Sequence, residues 1–325
     1  FNTAKATTVL RIPTGGDHQS AYVAGQYSYT DGPFEHPLGF GRANIFGKFH
    51  THLATNSELG ISIGAFSSAW DASGQIPQRA IDEGMISRWG AIDPMEGGTT
   101  GRYNMSVDYH FMEGYEHDFQ LQAFVSQYDF KLYSNFTFWL NDSLNGDMIE
   151  QNDHRQILGI NTRYSYYKSY KNLRAYTRVG ATFRSDHIDL SLWKSPDRIR
   201  MTPQTDHRVA ETNMAFWMEE ELIFNRLFRM QFGLRGDYFV FDVIDKMDPA
   251  MLPPGDIPHG SGYEHATILS PNLNLVLSPA PSLDSYLNSG TGFPSDDARY
   301  VWYSMYSLIT TLPRARGTEK GLSGG

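Results

Sequence analysis

The stretch Leu227-Phe228-Arg229-Met230-Gln231-Phe232-Gly233-Leu234-Arg235-Gly236-Asp237-Tyr238-Phe239-Val240-Phe241 decides the fold. Its even positions are Phe228, Met230, Phe232, Leu234, Gly236, Tyr238 and Val240; the odd ones between them include Arg229, Gln231, Gly233, Arg235 and Asp237. Successive side chains of a strand point to opposite faces, so this period of two describes a strand with one greasy side and one polar side. The same alternation runs through 171–184, where Leu173, Ala175, Val179, Ala181 and Phe183 interleave with Arg174, Arg178, Thr182 and Arg184. It runs again through 101–111, where Tyr103, Met105, Val107, Tyr109 and Phe111 interleave with Arg102, Asn104, Ser106, Asp108 and His110. None of these windows fits a helical stripe better.

Working outward, twelve segments carry the pattern: 20–30, 42–54, 58–70, 101–111, 117–139, 154–168, 171–184, 211–225, 227–241, 267–278, 282–291 and 313–322. Many exceed the usual soluble strand of roughly 5–6 residues, and a strand tilted across a bilayer needs about 9–11. Short turns are expected near 55–57, 112–116, 169–170, 225–226 and 279–281, and long loops at 31–41, 71–100, 140–153, 185–210, 242–266 and 292–312. Short and long connections in alternation are the layout of an outer-membrane barrel, with tight periplasmic turns and large extracellular loops. The fold class is therefore all-β, an antiparallel transmembrane β-barrel.

Composition fits. The chain has 325 residues, no cysteine, 27 basic against 36 acidic side chains and 14% aromatics. The missing thiols exclude disulfide scaffolds and thiolate chemistry, and a net charge of −9 without a basic block speaks against nucleic acid as a partner. No run approaches 18 apolar residues, so a spanning helix is excluded, whereas a spanning barrel is not. A soluble sandwich would bury the apolar faces against a second sheet and usually has shorter strands; a barrel in lipid turns them outward around a wet lumen. Tyrosines near the expected turns (Tyr109 and Tyr115; Tyr164, Tyr166, Tyr167 and Tyr170) suit a girdle at the water boundary. Segregation of Arg and Lys to the other face is informative, because each would cost about 2–4 kcal/mol at the lipid midplane.

Two places resist. Apolar parity runs through Phe119, Leu121, Ala123 and Val125, then shifts to Phe130, Leu132, Phe136 and Phe138, which calls for a bulge or two strands. Glu220 shares the apolar face of Met214, Phe216, Met218, Leu222 and Phe224, and is expected near an interface.

Chemical motifs weigh little beside this. Gly60-Ile61-Ser62-Ile63-Gly64 has the letters of a nucleophile elbow but lies inside a strand. His50 and His52 share a strand face at i, i+2, with no third metal ligand identifiable, so they read as lumen-facing polar residues. Gly39-Phe40-Gly41 lacks the third glycine of a dinucleotide site, and the sequons at Asn104, Asn135 and Asn141 matter only in a eukaryotic secretory pathway. The inward arginines Arg174, Arg178, Arg184, Arg229 and Arg235 read as lumen-facing wall residues pairing with carboxylates; a functional reading has some of them attract an anionic chelate.

Specific strings add a resemblance. Gln75 to Gly90 (QIPQRAIDEGMISRWG), followed by Ile92-Asp93-Pro94 and Gly97-Gly98, resembles an extracellular-loop segment of TonB-dependent outer-membrane receptors. So does Ser134-Asn135-Phe136-Thr137-Phe138-Trp139-Leu140-Asn141-Asp142, leading to Asn145-Gly146-Asp147. Leu269-Ser270-Pro271-Asn272-Leu273, then Gly290-Thr291-Gly292-Phe293-Pro294-Ser295-Asp296-Asp297-Ala298-Arg299, and Leu312 to Glu319 (LPRARGTE) are similar to the family's late strands, with Pro294 and Thr318 departing from its pattern. The order and spacing of the strings, over most of the chain, carry the match. The resemblance implies a barrel of about 22 strands, filled by an N-terminal plug.

Phe1 without a signal peptide and a tail ending in Gly324-Gly325 suggest part of a longer protein. Residues 1–325 would then be a partial barrel domain with no plug domain present. The resemblance further implies a bacterial outer-membrane receptor and transporter, not an enzyme, that takes up a scarce nutrient such as an iron-siderophore or other metal chelate. Its partners would be the TonB energy-transducing complex, through the plug, the outer-membrane lipid and a small-molecule or metal-chelate cargo, with no resident cofactor. Arg79, Arg88, Trp89 and Asp93 would shape the ligand-binding extracellular mouth. The rivals are a passive porin-like channel and a soluble all-β carbohydrate-binding surface protein. A piece of barrel with two unpaired edges is not expected to insert stably by itself.

Overall fold

Alternating strands leave backbone N–H and C=O groups pointing sideways, and here each strand finds its partners in the next one along the chain. The structure, a computed structural model, describes residues 1–292 except 17, 172, 249–260 and 281. Twelve strands form one antiparallel meander in sequence order: β1 (Thr3–Ile12), β2 (Gln19–Thr30), β3 (Phe40–Ala54), β4 (Ser57–Asp71), β5 (Gly97–Glu113), β6 (His117–Ser134), β7 (Ile149–Ser169), β8 (Arg174–Lys194), β9 (Thr202–Ile223), β10 (Phe228–Asp245), β11 (Gly262–Ala280) and β12 (Leu283–Gly290). One short helix, α1 (Gln78–Asp82), lies in the β4–β5 loop, and among the described residues no helix is long and apolar enough to cross a membrane.

Directly paired residues share a face. One row runs His52, Glu58, His110, Gln120, Arg163, Gly180, Trp217, Arg235, Ser270 from β3 to β11. Residues of this polar face, Lys48, Glu58, His110, Gln120, Arg163 and Trp217 among them, line one concavity. On the opposite, convex face Ile45, Ile63, Val125, Leu158, Phe216 and Leu234 are 47–62% exposed. The nonpolar half of each strand is thus not covered by a second sheet among the described residues. Gly180 leaves room on the concave side for the Trp217 indole, since a Cβ there would sit 2.5 Å from its ring.

The apolar convex stretch has a height. It runs from Leu222 to Met214 on β9 and from Tyr166 to Leu158 on β7, about nine residues each, close to the ~9–11 that a tilted strand needs to cross hydrocarbon. Toward the long-loop end the polarity inverts. The convex face becomes Gln127, Asp129 and Lys131 on β6, His154 and Asn152 on β7, Asp189 on β8 and Arg208 on β9, while the concave face acquires Phe130, Leu132, Ile188, Leu190, Val209, Phe241 and Val243. Ile188, Val209 and Val243 are 2–5% exposed and pack with Leu190 and Phe241.

This inversion accounts for the parity shift in 117–139. The pairing of β6 with both β5 and β7 runs from His117 to its end without a register shift, so neither the bulge nor the two separate strands exist. The strand ends at Ser134, and its apolar residues change faces along it, from Phe119, Leu121 and Val125 on the convex side to Phe130 and Leu132 on the concave side. Other expected boundaries fail for a related reason. The expected 185–210 loop shrinks to residues 195–201, because β8 continues to Lys194 and β9 begins at Thr202. The expected 242–266 loop shrinks as β10 runs to Asp245 and β11 starts at Gly262. In the upper part of β8 alternation continues on the opposite parity: Ile188, Leu190 and Leu192 interleave with His187, Asp189 and Ser191, whereas Val179, Ala181 and Phe183 lead below, so the change of phase reads as the end of the strand. β1 precedes the first strand expected from the sequence; of its convex residues Ala4, Ala6, Thr8, Leu10 and Ile12, only the last two are large and apolar. The expected strand 313–322 and the strings after Gly292 lie outside the described residues.

Glu220 sits three residues from the turn end of β9, on the convex face between Met218 and Leu222. Tyr164 and Tyr109 are on the convex face near the turns, and His117 Nδ1 lies 2.6 Å from the Tyr164 hydroxyl. Tyr167 departs from the girdle: it is on the concave face, with its ring 4.7 Å from that of Tyr176.

Candidate functional site

Residues two apart on a strand share a face, so an Arg and an Asp at i and i+2 meet side on. Three such pairs ladder across the concave face. Arg184 donates to both oxygens of Asp186 at 2.7 Å, and Arg235 to both oxygens of Asp237 at 2.8 Å. Arg155 donates to both oxygens of Asp153 at 2.6–2.7 Å. Planar fork-to-carboxylate pairs of this kind are the strong, directional ones. Asp237, 2% exposed, also accepts from Asn213 Nδ2 at 3.1 Å. Arg178 reaches across strands to Glu219 at 2.5 Å and Glu221 at 3.2 Å, and Arg229 approaches Glu221 at 3.8 Å. Arg174 is exposed beside the turn, with no ion pair among the described residues. Register places Arg174, Arg178, Arg184, Arg229 and Arg235 on one face, and four of the five are neutralised by carboxylates on the same wall. Their remaining field is that of close dipoles, which falls off too fast to draw an anion from a distance.

Two further concave-face arginines behave differently. Arg42 on β3 lies over the Phe66 ring at 4.9 Å, and Arg102 on β5 over the Tyr128 ring at 5.9 Å. Sequence parity puts Arg102 inward, but which ring lies beneath it depends on the cross-strand register.

At the long-loop end the four expected mouth residues separate in role. Arg79, on α1, and Arg88 are exposed. Trp89 packs against Phe34 of the β2–β3 loop with ring centres 6.0 Å apart, its carbonyl accepts from Glu35 N at 2.9 Å, and Ser87 Oγ donates to Glu35 at 2.5 Å. Asp93 accepts from Asn135 Nδ2 at 2.7 Å and from Met95 N at 3.0 Å, tying the β4–β5 loop to the β6–β7 loop. No hydrogen bond, ion pair or ring contact joins any two of the four among the described residues.

Sequence reasoning missed a residue that joins the β8–β9 connection to the β4–β5 loop. Arg198, in the short β8–β9 connection, donates to Asp71 at 2.8 Å, to Met95 O at 2.8 Å and to Glu96 O at 3.3 Å, and lies over the Tyr133 ring at 5.1 Å. It does so with φ +61°, beside Asp197 at φ +51°, a left-handed pair that non-glycine residues seldom adopt. Nearby, Glu150 is 2% exposed and accepts from Arg200 at 2.7–3.1 Å and from Asn152 at 2.6 Å. No local signal marks Arg198; its partners are about a hundred residues away in sequence.

The β6–β7 loop, with Phe138 in the left-handed region, folds around two carboxylates. Asp142 accepts from Lys194, Leu144 N and Asn145, and Asp147 from Thr137, Asn141 and Asp142 N. The Lys194 ammonium above all, then the Asn145 donors, hold Asp142 well below the usual carboxylate range, and the Asn141 backbone N–H contributes most to lowering Asp147.

Ser62 stands mid-strand, 2.7 Å from Ser106 Oγ, in neither a turn nor a helix start. Glu58 takes up the two histidines, lying 3.3 Å from His50 Nε2 and 3.5 Å from His52 Nδ1. Among the described residues no group of three His, Cys, Asp or Glu is arranged to hold a metal ion.

No family model matches the chain, and no curated protein matches it in sequence. Solved structures do. The chain is similar to the ferric citrate transporter FecA in its unliganded form, with TM-score 0.71 and 14% identity over 89% of this chain and 41% of that one. It is similar to the ferric-catecholate import receptor Fiu from E. coli K12 in its open form, with TM-score 0.65 and 10% identity over 89% and 52%. It is also similar to BauA, the ferric preacinetobactin receptor from Acinetobacter baumannii, with TM-score 0.60 and 9% identity over 88% and 46%. The chain thus spans about half the length of these proteins or less. Its fold is the antiparallel β-barrel wall that they share, in agreement with the all-β barrel read from the sequence.

Proposed function

We propose that the chain forms the wall of an outer-membrane receptor that takes up a metal chelate of the iron-siderophore kind, energised by a TonB complex acting through a plug domain. The observation that carries this reading is the pairing of an exposed apolar convex belt of membrane-crossing height with a polar concave face, in a fold shared with ferric-chelate transporters and receptors. Lipid meets the convex belt, and the concave face lines the route of the cargo. The ion-paired arginines Arg178, Arg184, Arg229 and Arg235, with Arg174 at the turn end, keep that route wet and rigid. They present satisfied polar groups, past which a plug and a cargo slide without meeting buried unpaired charge. At the outer end Arg79, Arg88 and Trp89 shape the mouth, while Asp93 and Arg198 hold its loops together.

The reading is tested by uptake of iron-55 chelates in the source bacterium under iron limitation. Deleting the gene for this chain is expected to abolish uptake of one chelate, and deleting the TonB gene to abolish it equally. Uptake that survives TonB deletion would make the barrel a passive pore. A chain that stays monodisperse after extraction without detergent would be a soluble surface protein.

A further inference from the structure

Charge is divided unevenly around the concave face. Four neighbouring rows of paired residues cross the sheet there. In β1 to β6 they contain Lys5, Arg11, Arg42, Lys48 and Arg102, together with Ser, Thr, Asn, Gln, aromatic and small apolar residues, and no Asp or Glu. The same rows continue through β7 to β10 with Asp153, Asp186, Glu211 and Asp245 facing Arg155 and Arg184. Among the described residues no carboxylate lies within ion-pair distance of Arg42, Lys48 or Arg102, whereas Arg155 and Arg184 each hold one in both hands of the guanidinium.

Arg42 and Arg102 are also fixed in place. Pairing puts Phe66 directly opposite Arg102 on the neighbouring strand, so cation and ring alternate across the wall as Arg42, Phe66, Arg102, Tyr128. A guanidinium lying flat on a ring keeps its in-plane N–H edge for an oxyanion, and stacking removes part of its rotamer freedom beforehand. Asn44 takes one donor of Arg42 at 3.0 Å and leaves the others. Low-dielectric walls around a wet passage focus such a field rather than dispersing it.

We propose that this sector is an oxyanion-binding stretch of the wall, anchored by Arg42 and Arg102, and that the chelate carried presents ionised oxygen groups to it rather than a neutral surface. This rests on the uptake reading and narrows it. Of the arginines that the sequence offers for the task, Arg178, Arg184, Arg229 and Arg235 are spent on carboxylates of their own wall and Arg174 lies out at the turn, so the capacity for an anion along the wall lies on β3 to β5.

The experiment uses the complete receptor purified from outer membranes, titrated with ferric citrate, an anionic ferric tris-catecholate and the neutral ferric tris(acetohydroxamate), with binding followed by quenching of tryptophan fluorescence. The double variant R42Q/R102Q is expected to bind its anionic chelate at least about tenfold more weakly, and to show a shallower dependence on salt, because two charge-assisted contacts are lost. Unchanged anionic binding in the variant, or a wild-type receptor that takes only the neutral chelate, overturns the proposal and leaves the uptake reading intact. A lower melting temperature with unchanged chelate binding also overturns it, and assigns the two arginines to carboxylates of a plug. A wild-type receptor that binds none of the three chelates counts against the uptake reading itself.

Discussion

The lower and upper halves of β6 to β10 are continuous strands with opposite polarity. Near the turns, Phe119, Leu121, Leu158, Phe216 and Leu234 face outward and the charged residues inward; toward the long loops, Asp129, His154, Asp189 and Arg208 face outward and Ile188, Val209 and Val243 inward. Backbone pairing does not change between the halves except at the Leu192/Trp193 shift near the end of β8. The surroundings alone therefore set which side chains each face carries. On the proposed function, hydrocarbon lies outside the lower half, where the apolar residues face outward, and water outside the upper half, where they turn inward and pack on one another.

The sharpest way to break the comparison is to put one cation at each height. Phe216→Lys, on the belt, is expected to lower stability in lipid vesicles by about 2–4 kcal/mol, as read from reversible denaturant unfolding. Ser191→Lys, on the convex face above the belt, is expected to stay within about 0.5 kcal/mol. Equal costs at the two positions would place the lipid boundary elsewhere. The inner cluster gives the converse test. Val209→Ala, at 2% exposure, is expected to cost about 2 kcal/mol through an unfilled cavity, against a smaller loss for Ile160→Ala, whose place lipid chains can fill.

Above both halves, the Arg198→Ala variant removes three hydrogen bonds and is expected to cost about 1–3 kcal/mol locally. Its readout is faster tryptic cleavage after Arg79 and Arg88, in the loop that Arg198 ties down. Acid acts more gently on the neighbouring loop. Asp142 and Asp147 have folded-state pKa values below their ordinary ones, so their contribution is complete above the ordinary carboxylate range and is lost as pH falls through the depressed values. Hydrogen exchange at the Asp142, Leu144 and Asn145 amides is expected to accelerate only in strong acid, and at a higher pH once Lys194→Met removes the main cause. The smallest effect concerns Glu220. Glu220→Gln at the edge of the belt is expected to change stability by less than about 1 kcal/mol, and a larger gain would move that residue toward mid-bilayer.

How much was legible follows the same division. The belt portions of β3, β4 and β10 are readable to within a few residues, because an exposed apolar convex face and a polar concave face give strict alternation. The upper parts of β8 and β9 read as loop, because their apolar residues, Ile188, Leu190 and Val209, take the opposite parity to those of the belt and break the phase of the pattern. For the candidate site, parity alone puts Arg184 and Arg235 inward, and the Asp two residues on is visible beside each. Nothing in the sequence shows Arg42 above Phe66 or Arg198 beside Asp71, since those contacts depend on strand register and loop path.

By itself the sequence determined the strand-built wall and which residues share each of its faces, because side-chain direction in a strand is a local property with a period of two. Only the tertiary structure decided which charges are neutralised and which stay open, and where polarity inverts. Those depend on neighbours brought alongside by register, from strands tens of residues away.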